Sequence, residues 1–302
     1  MTQTIYQPVI AVTGATGAQG GATARALLRQ GSRIRALTRR PSSPAAEELR
    51  RLGAEVAYAD FDDRAGLDAA LAGADALFAM STRYGDTGGD VGNDADTEVR
   101  QAVALLDAAA ASGTVRHIVF TSAANADRGT GIPHFDTKHR VELHLRKLGI
   151  PWTVIAPGLF MDNYTSEWTL SGLREGRFAL PLPAGLALPF IPAADIGAFA
   201  ALVLRHPGKF AGRRIDLASD RVTCSEIAEI LSGVCGRPIE FTPVPLAQIE
   251  AHSADLAAMF RYFGASGLHV DVEGLRRDHP EVGWQSFADW AGAQSWNLTP
   301  AP

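Results

Sequence analysis

Short apolar runs alternate with helical patterns along the first half of the chain, and no other feature restricts its fold as much. Val9 to Thr13 reads as a buried strand, Gly20 to Gln30 as a helix stopped by Gly31, and Arg33 to Thr38 as a second strand. Pro44 to Leu52 is predicted helical, Glu55 to Ala59 a third strand, Arg64 to Leu71 a short helix and Ala76 to Met80 a fourth strand. Asp94 to Ala111 predicts a long helix, with Val99, Val103, Leu106 and Ala110 recurring at helical spacing. His117 to Thr121, a helix from His134 to Leu148 and a sixth strand from Trp152 to Ala156 complete the series. Strands separated by helices pair in parallel and need helices on both faces. The expected class is α/β, a Rossmann doubly wound parallel sheet.

The alternation degrades after Pro157. Helical pieces are expected at Asp195 to Arg205, Ser225 to Cys235 and Leu246 to Phe263, with strands at Arg213 to Leu217 and Pro238 to Pro243. The expected division is therefore residues 1–156 as a nucleotide-binding domain and 157–302 as a smaller mixed α/β C-terminal lobe on the sheet edge. Thr299 to Pro302 is expected to be a frayed tail.

Between the first strand and its helix lies "TGATGAQGG", with Gly14, Gly17 and Gly20 three residues apart. A loop that leaves a strand tightly, brings backbone near a ligand and opens a helix against the sheet favours glycine at each point. The free N–H groups of the following helix suit a pyrophosphate. Gly14, Thr16, Gly17, Gln19 and Gly20 are the cofactor-binding candidates here.

The second strand ends in Ala36-Leu37-Thr38-Arg39-Arg40, with no acid. A carboxylate there would bind the ribose hydroxyls of NAD, whereas an arginine can pair with the 2′-phosphate of NADP. NADP(H) is the expected cofactor. Arg39 is preferred because it lies at the strand end and Arg40 precedes Pro41; strand geometry alone leaves either possible. After the third strand, Asp60 and Phe61 are placed to flank the adenine, while Asp62 and Asp63 read as helix caps.

These stretches, with "HFDTK" at His134 to Lys138 and "APGLFMDN" at Ala156 to Asn163, resemble the NmrA-like family, an atypical branch of the short-chain dehydrogenase/reductase superfamily. The resemblance implies a Rossmann domain that prefers NADP(H). It also implies either a reductase or a regulator that senses NADP(H) and binds a partner protein. In the superfamily a Tyr-x-x-x-Lys pair and an upstream Ser do the chemistry. Here Lys138 fills the lysine position, His134 stands at the tyrosine position, and Ser122 stands where the Ser would. The resemblance implies ribose binding by Lys138. His134 has two readings: a proton donor, or, preferred, a histidine at a position freed when tyrosine was lost.

Thr82 and Tyr84 follow the fourth strand and are expected to line the nicotinamide end. The glycine-rich stretch after them reads equally as a lid or as a surface loop. Pro157 and Phe160, with Asn163, are expected pocket walls. A net charge of −5 argues against a nucleic-acid surface. Cys224 and Cys235 lack zinc-site spacing, so no metal is expected and both read as buried small apolar residues in a reducing compartment. The N-terminus has no secretory pattern, and the apolar stretch from Ala184 to Leu204 is broken by Pro189, Pro192 and Asp195. A cytoplasmic protein without membrane contact is expected. Its partner is a small-molecule substrate or a regulatory protein, and its oligomeric state is left open, a homodimer included. Two functions stand: reduction of a small electron-poor quinone, enone or imine, and non-catalytic redox sensing.

Overall fold

The computed structural model describes residues 7–81, 94–296 and 298. In chain order the elements begin with β1 (Val9–Val12), α1 (Ala18–Arg29), β2 (Arg33–Thr38), α2 (Pro44–Arg51), β3 (Glu55–Tyr58), α3 (Arg64–Leu71) and β4 (Ala76–Met80). Then come α4 (Ala95–Ala111), β5 (His117–Thr121), α5 (Pro133–Leu145), β6 (Trp152–Pro157), β7 (Leu159–Phe160), α6 (Glu167–Arg174), β8 (Arg177–Leu180) and β9 (Ala187–Ile191). The remainder are α7 (Ala193–Arg205), α8 (Pro207–Phe210), β10 (Arg213–Leu217), β11 (Asp220–Thr223), α9 (Cys224–Cys235), β12 (Glu240–Pro243), α10 (Leu246–Glu250), α11 (Ala254–Ser266), α12 (Val272–Asp278) and α13 (Phe287–Gly292).

The central sheet has the order β10-β6-β5-β4-β1-β2-β3. The pairs from β3 through β6 are all parallel. This is the doubly wound Rossmann α/β sheet, with a seventh strand supplied by β10. β1 is buried along its whole length, as a strand covered on both faces must be. Local sequence sets the helix starts. Ser43 caps α2 ahead of Pro44, Asp63 caps α3, and Asp94 caps α4. On α4 the buried stripe is Glu98, Ala102, Leu105, Leu106 and Ala109. The expected stripe through Val99, Val103 and Ala110 is one residue out of phase; those side chains are half-buried.

Two compact units divide the chain, and neither is contiguous. The first holds 1–123, 137–156 and 196–215; the second holds 124–136, 157–195 and 216–302. The division expected at residue 156 therefore changes, because most of α7 and the start of β10 return to the first unit. Gly197 of α7 explains the intimacy of that return. A Cβ there would lie 2.4 Å from the carbonyl carbon of Ala22 in α1.

The second unit contains two small sheets, β11-β9-β7 and the parallel pair β12-β8. Its core is aromatic: Tyr164 packs against Phe178, Phe190 and Phe287 at centroid distances of 5.3 to 5.9 Å. Cys224 is buried at the start of α9, whereas Cys235 at its end is only half-buried. The helix expected from Leu246 to Phe263 is two helices. Ser253 breaks it by capping α11 through a bond from the Leu256 N–H.

Candidate functional site: a nucleotide cradle and a histidine–aspartate pair

At the end of β1, Thr13 is fully buried; its hydroxyl donates to the Phe78 carbonyl and accepts from the Met80 N–H, both at 3.0 Å. These bonds tie the start of the glycine loop to β4. Gly14 adopts φ +59°, and a Cβ there would also strike the Met80 sulfur. The Gly17 N–H closes the turn on the Gly14 carbonyl at 2.9 Å. Gly20 packs onto the loop itself: a Cβ would lie 2.3 Å from the Thr13 oxygen and 2.4 Å from the Gly14 oxygen. Glycine is thus required at 14 for conformation and at 20 for space.

Gly17 is the N-cap of α1, no side chain caps that end, and the first turn carries no acid. Thr16, Gly17 and Ala18 are exposed. An uncapped helix N-terminus without carboxylates, behind a loop with no side-chain bulk at 14 and 17, fits an anionic pyrophosphate. Gln19 is held in place by the Thr121 hydroxyl, which donates to its side-chain oxygen at 2.7 Å.

Arg39 and Arg40 are both exposed immediately after β2, and the Arg40 N–H donates to the Thr38 hydroxyl at 3.1 Å. After β3, Asp60 and Phe61 are half-buried. The Asp60 carboxylate accepts from the Asp62 N–H at 3.0 Å, which shapes the turn. Asp63 caps α3 as expected. Asp62 does not cap; it pairs with Arg100 and accepts from Gln101 at 2.7 Å, and these partners hold its carboxyl below the ordinary range.

Lys138 of α5 is committed to the protein. Its ammonium donates to the Ser81 carbonyl and hydroxyl, both at 2.7 Å, and lies 2.8 Å from Glu98 Oε1. An ammonium has three protons, and these three acceptors account for them. A ribose hydroxyl would have to displace one. Glu98 also accepts from Thr137 at 2.7 Å and Ser81 at 2.9 Å. Burial works against the Glu98 carboxylate, but the Lys138 charge and these hydrogen bonds outweigh it and hold the carboxyl below its usual value.

Ser122 is likewise engaged. Its hydroxyl donates to the fully buried Glu142 at 2.5 Å, and the same carboxylate accepts from Arg214 Nε at 3.1 Å and Arg146 at 3.4 Å. Arg214 also donates to the Ala123 carbonyl at 2.9 Å. Ser122 therefore belongs to an ion-pair network that fastens the end of β5 to α5 and β10.

In the second unit, His134 at the start of α5 meets Asp255 at the start of α11. His134 Nδ1 lies 2.7 Å from Asp255 Oδ1, and the His134 backbone N–H donates to the same oxygen at 3.3 Å. Asp255 is 7% exposed and His134 retains 14% side-chain exposure. The His134 ring packs edge-on against Phe135 at 4.8 Å. Pro157 is buried, with its carbonyl accepting from the Ala124 N–H at 2.9 Å, and Phe160 is half-buried in β7, paired with Ile191. Asn163 is exposed. Thr82, Tyr84 and the glycine-rich stretch after them lie outside the described residues.

Glu98, Glu142, Arg214 and Asp255 are not among the residues expected from the sequence. Glu142 lies 20 positions from Ser122, Arg214 72 from Glu142 and Asp255 121 from His134, beyond any local motif. One signal existed: Glu98 falls on the stripe of α4 that also carries Ala102 and Leu105, so a charge sits on a face otherwise buried for packing.

Among the described residues no helix is long and apolar enough to cross a membrane. The sequence profile of the NmrA-like family matches residues 7–291. A (4-alkanoyl-5-oxo-2,5-dihydrofuran-3-yl)methyl phosphate reductase of Streptomyces griseus is 31% identical, over 84% of this chain and 82% of its own. An NAD(P)H azoreductase of Xenophilus azovorans is 28% identical, over 80% of this chain and 78% of its own. The crystal structure of an NADPH-dependent quinone oxidoreductase from Escherichia coli, complexed with NADPH, superposes with a TM-score of 0.77 at 28% identity, covering 93% of this chain and 98% of that one. With its glycine cradle, its sheet order and a profile match over nearly its whole length, the chain belongs to the NmrA-like family.

Proposed function

We propose that this protein is an NADPH-dependent reductase of a small electron-poor acceptor, a quinone, enone or imine. The observation that carries the reading is the nucleotide cradle: an uncapped, acid-free α1 N-terminus behind Gly14 and Gly17, with Arg39 and Arg40 at the end of β2. The arginines supply charge for a 2′-phosphate, and no carboxylate follows β2 to repel it. The relatives that reduce a dihydrofuranone phosphate, an azo compound and a quinone support the acceptor class. Bound NADPH supplies a hydride. The first unit binds and orients the nucleotide, and the reduced acceptor takes up a proton.

A second reading is an NADP(H)-binding regulator that acts on a partner protein without turnover. It is favoured by the engagement of Lys138 with Ser81 and Glu98. One experiment separates the two. NADPH oxidation is followed with menadione, cyclohexenone and a cyclic imine, while NADPH and NADH binding are measured by calorimetry. Turnover with any acceptor, and tighter binding of NADPH, supports the reductase; tight binding with no turnover supports the regulator.

A further inference from the structure

The amino ends of β1, β4 and β5 and the carboxyl ends of α1 and α7 surround a cavity of about 440 Å³, which lies wholly within the first unit. That volume is in the range of small-molecule sites. The glycine cradle follows the carboxyl end of β1, so cradle and cavity stand at opposite ends of the same parallel strands, and α1 runs from one to the other. We infer that this cavity is a second ligand site, for a small monocarboxylate with an apolar body. The inference is independent of the reductase reading.

The lining decides the ligand class. Ile10, Ala76, Leu204 and Pro207 give it apolar surface. Asp75, Arg116, His117 and Arg205 are its titratable members. Asp75 is matched within the protein: Arg116 donates to its Oδ1 at 2.6 Å and the Val9 N–H to its Oδ2 at 2.9 Å. His117 is neutral at pH 7, because burial pushes its pKa down to about 4. Arg205 donates to the side-chain oxygen of Gln30 at 3.0 Å, a neutral partner that leaves its charge uncompensated. A guanidinium in excess fits a carboxylate, which its planar fork can hold through two bonds. The carboxyl ends of α1 and α7 carry partial negative charge, which disfavours a second charge on the ligand and so argues against a phosphate dianion. The wall also holds an unmatched acceptor. The Thr153 hydroxyl donates to the Phe210 carbonyl, so it accepts from His117 Nε2, and the neutral ring keeps its lone pair on Nδ1. Nδ1 is buried and has no hydrogen-bond partner among the described residues. A few such polar points in an apolar lining are what orient a ligand.

The test is binding to the full chain, read by calorimetry and NMR. The probes are benzoate, 2-naphthoate and isovalerate, with their amides as uncharged controls. At least one of these acids is expected to bind saturably and to shift the ring resonances of His117, which are assigned by their loss in His117→Gln. The matching amide should bind at least about tenfold more weakly, because a charge-assisted bond is lost. The acid should weaken by a similar factor on Arg205→Ala, and Arg205→Lys should recover part of the affinity. No saturable binding of any of the acids to the unaltered protein overturns the inference, whatever the variants do. Equal affinity for acid and amide overturns it, as does unchanged affinity in Arg205→Ala. An acid that shifts the backbone amides of Gly17 and Ala18 while His117 stays still has bound at the cradle, and that result overturns it too. No readout uses NADPH, so failure here and failure of the reductase reading are distinguishable.

Discussion

The Lys138 ammonium and the Glu98 carboxylate form an ion pair at 2.8 Å between α5 and α4, with the carboxylate wholly buried. Such a pair contributes little relative to two apolar residues, but removing one member strands the other. Glu98→Gln is therefore expected to cost about 3–5 kcal/mol in urea unfolding at neutral pH. The folded carboxyl is held below its ordinary value, so its stabilisation is present above the unfolded carboxylate range and is lost as pH falls through the folded one. The gap between the two proteins should narrow under acid. Equal stability at neutral pH would show that the pair holds nothing.

Gly20→Ala tests the cradle from inside. The new Cβ would meet two backbone oxygens, at 2.3 and 2.4 Å, and neither belongs to a flexible side chain. The loop or α1 must shift, at a cost of about 1–3 kcal/mol by analogy with overpacked cores. NADPH affinity should fall with it. A variant with native melting temperature and native affinity would contradict the close approach of α1 to the loop.

Arg39→Ala addresses cofactor choice. A charge-assisted bond is worth roughly 1.5–3 kcal/mol, so NADPH affinity should fall about tenfold to a hundredfold. NADH affinity should stay unchanged, because NADH has no phosphate there. Arg40→Ala is the paired measurement: the larger loss identifies the arginine that reads the phosphate. If neither variant alters the NADPH to NADH ratio, the preference for NADP is wrong.

His117 makes the fold sensitive to mild acid. Its Nε2 donates to the Thr153 hydroxyl at 2.9 Å, which itself donates to the Phe210 carbonyl. Burial pushes its pKa down to about 4, below the ordinary value of 6.5. The unfolded chain then binds the proton first. Stability from the neutral ring is complete above pH 6.5 and is lost as pH falls toward 4. The full loss is about 3 kcal/mol for a shift of this size. His117→Gln should show a shallower decline in urea stability from pH 7 to pH 4.5. An identical slope would mean that the ring takes up its proton while folded.

The sheet was legible because its strands are short apolar runs with helices between them, a pattern that survives in sequence without tertiary information. The cradle was legible because its glycines lie within one loop. Asp255 was not, because its distance from His134 along the chain is set entirely by how α11 folds back. Nor was the engagement of Lys138. The x-x-x spacing places His134 and Lys138 one helical turn apart, yet it says nothing about Glu98, which comes from α4. The break in the helix expected from Leu246 to Phe263 was written locally, in Ser253, and was masked by the apolar residues on both sides.

The backbone contact of Gly197 with Ala22 and the place of β10 beside β6 also fix an order of events in biosynthesis. A ribosome that has released only the amino-terminal half has exposed every glycine of the cradle but neither α7 nor the outermost strand. The nascent nucleotide unit then presents an open sheet edge, the kind of surface that recruits other strands. The β6 edge is paired only once residue 217, the end of β10, has emerged, and β10 then becomes the outermost strand. A gene fragment that stops after β6 would encode that unfinished state permanently.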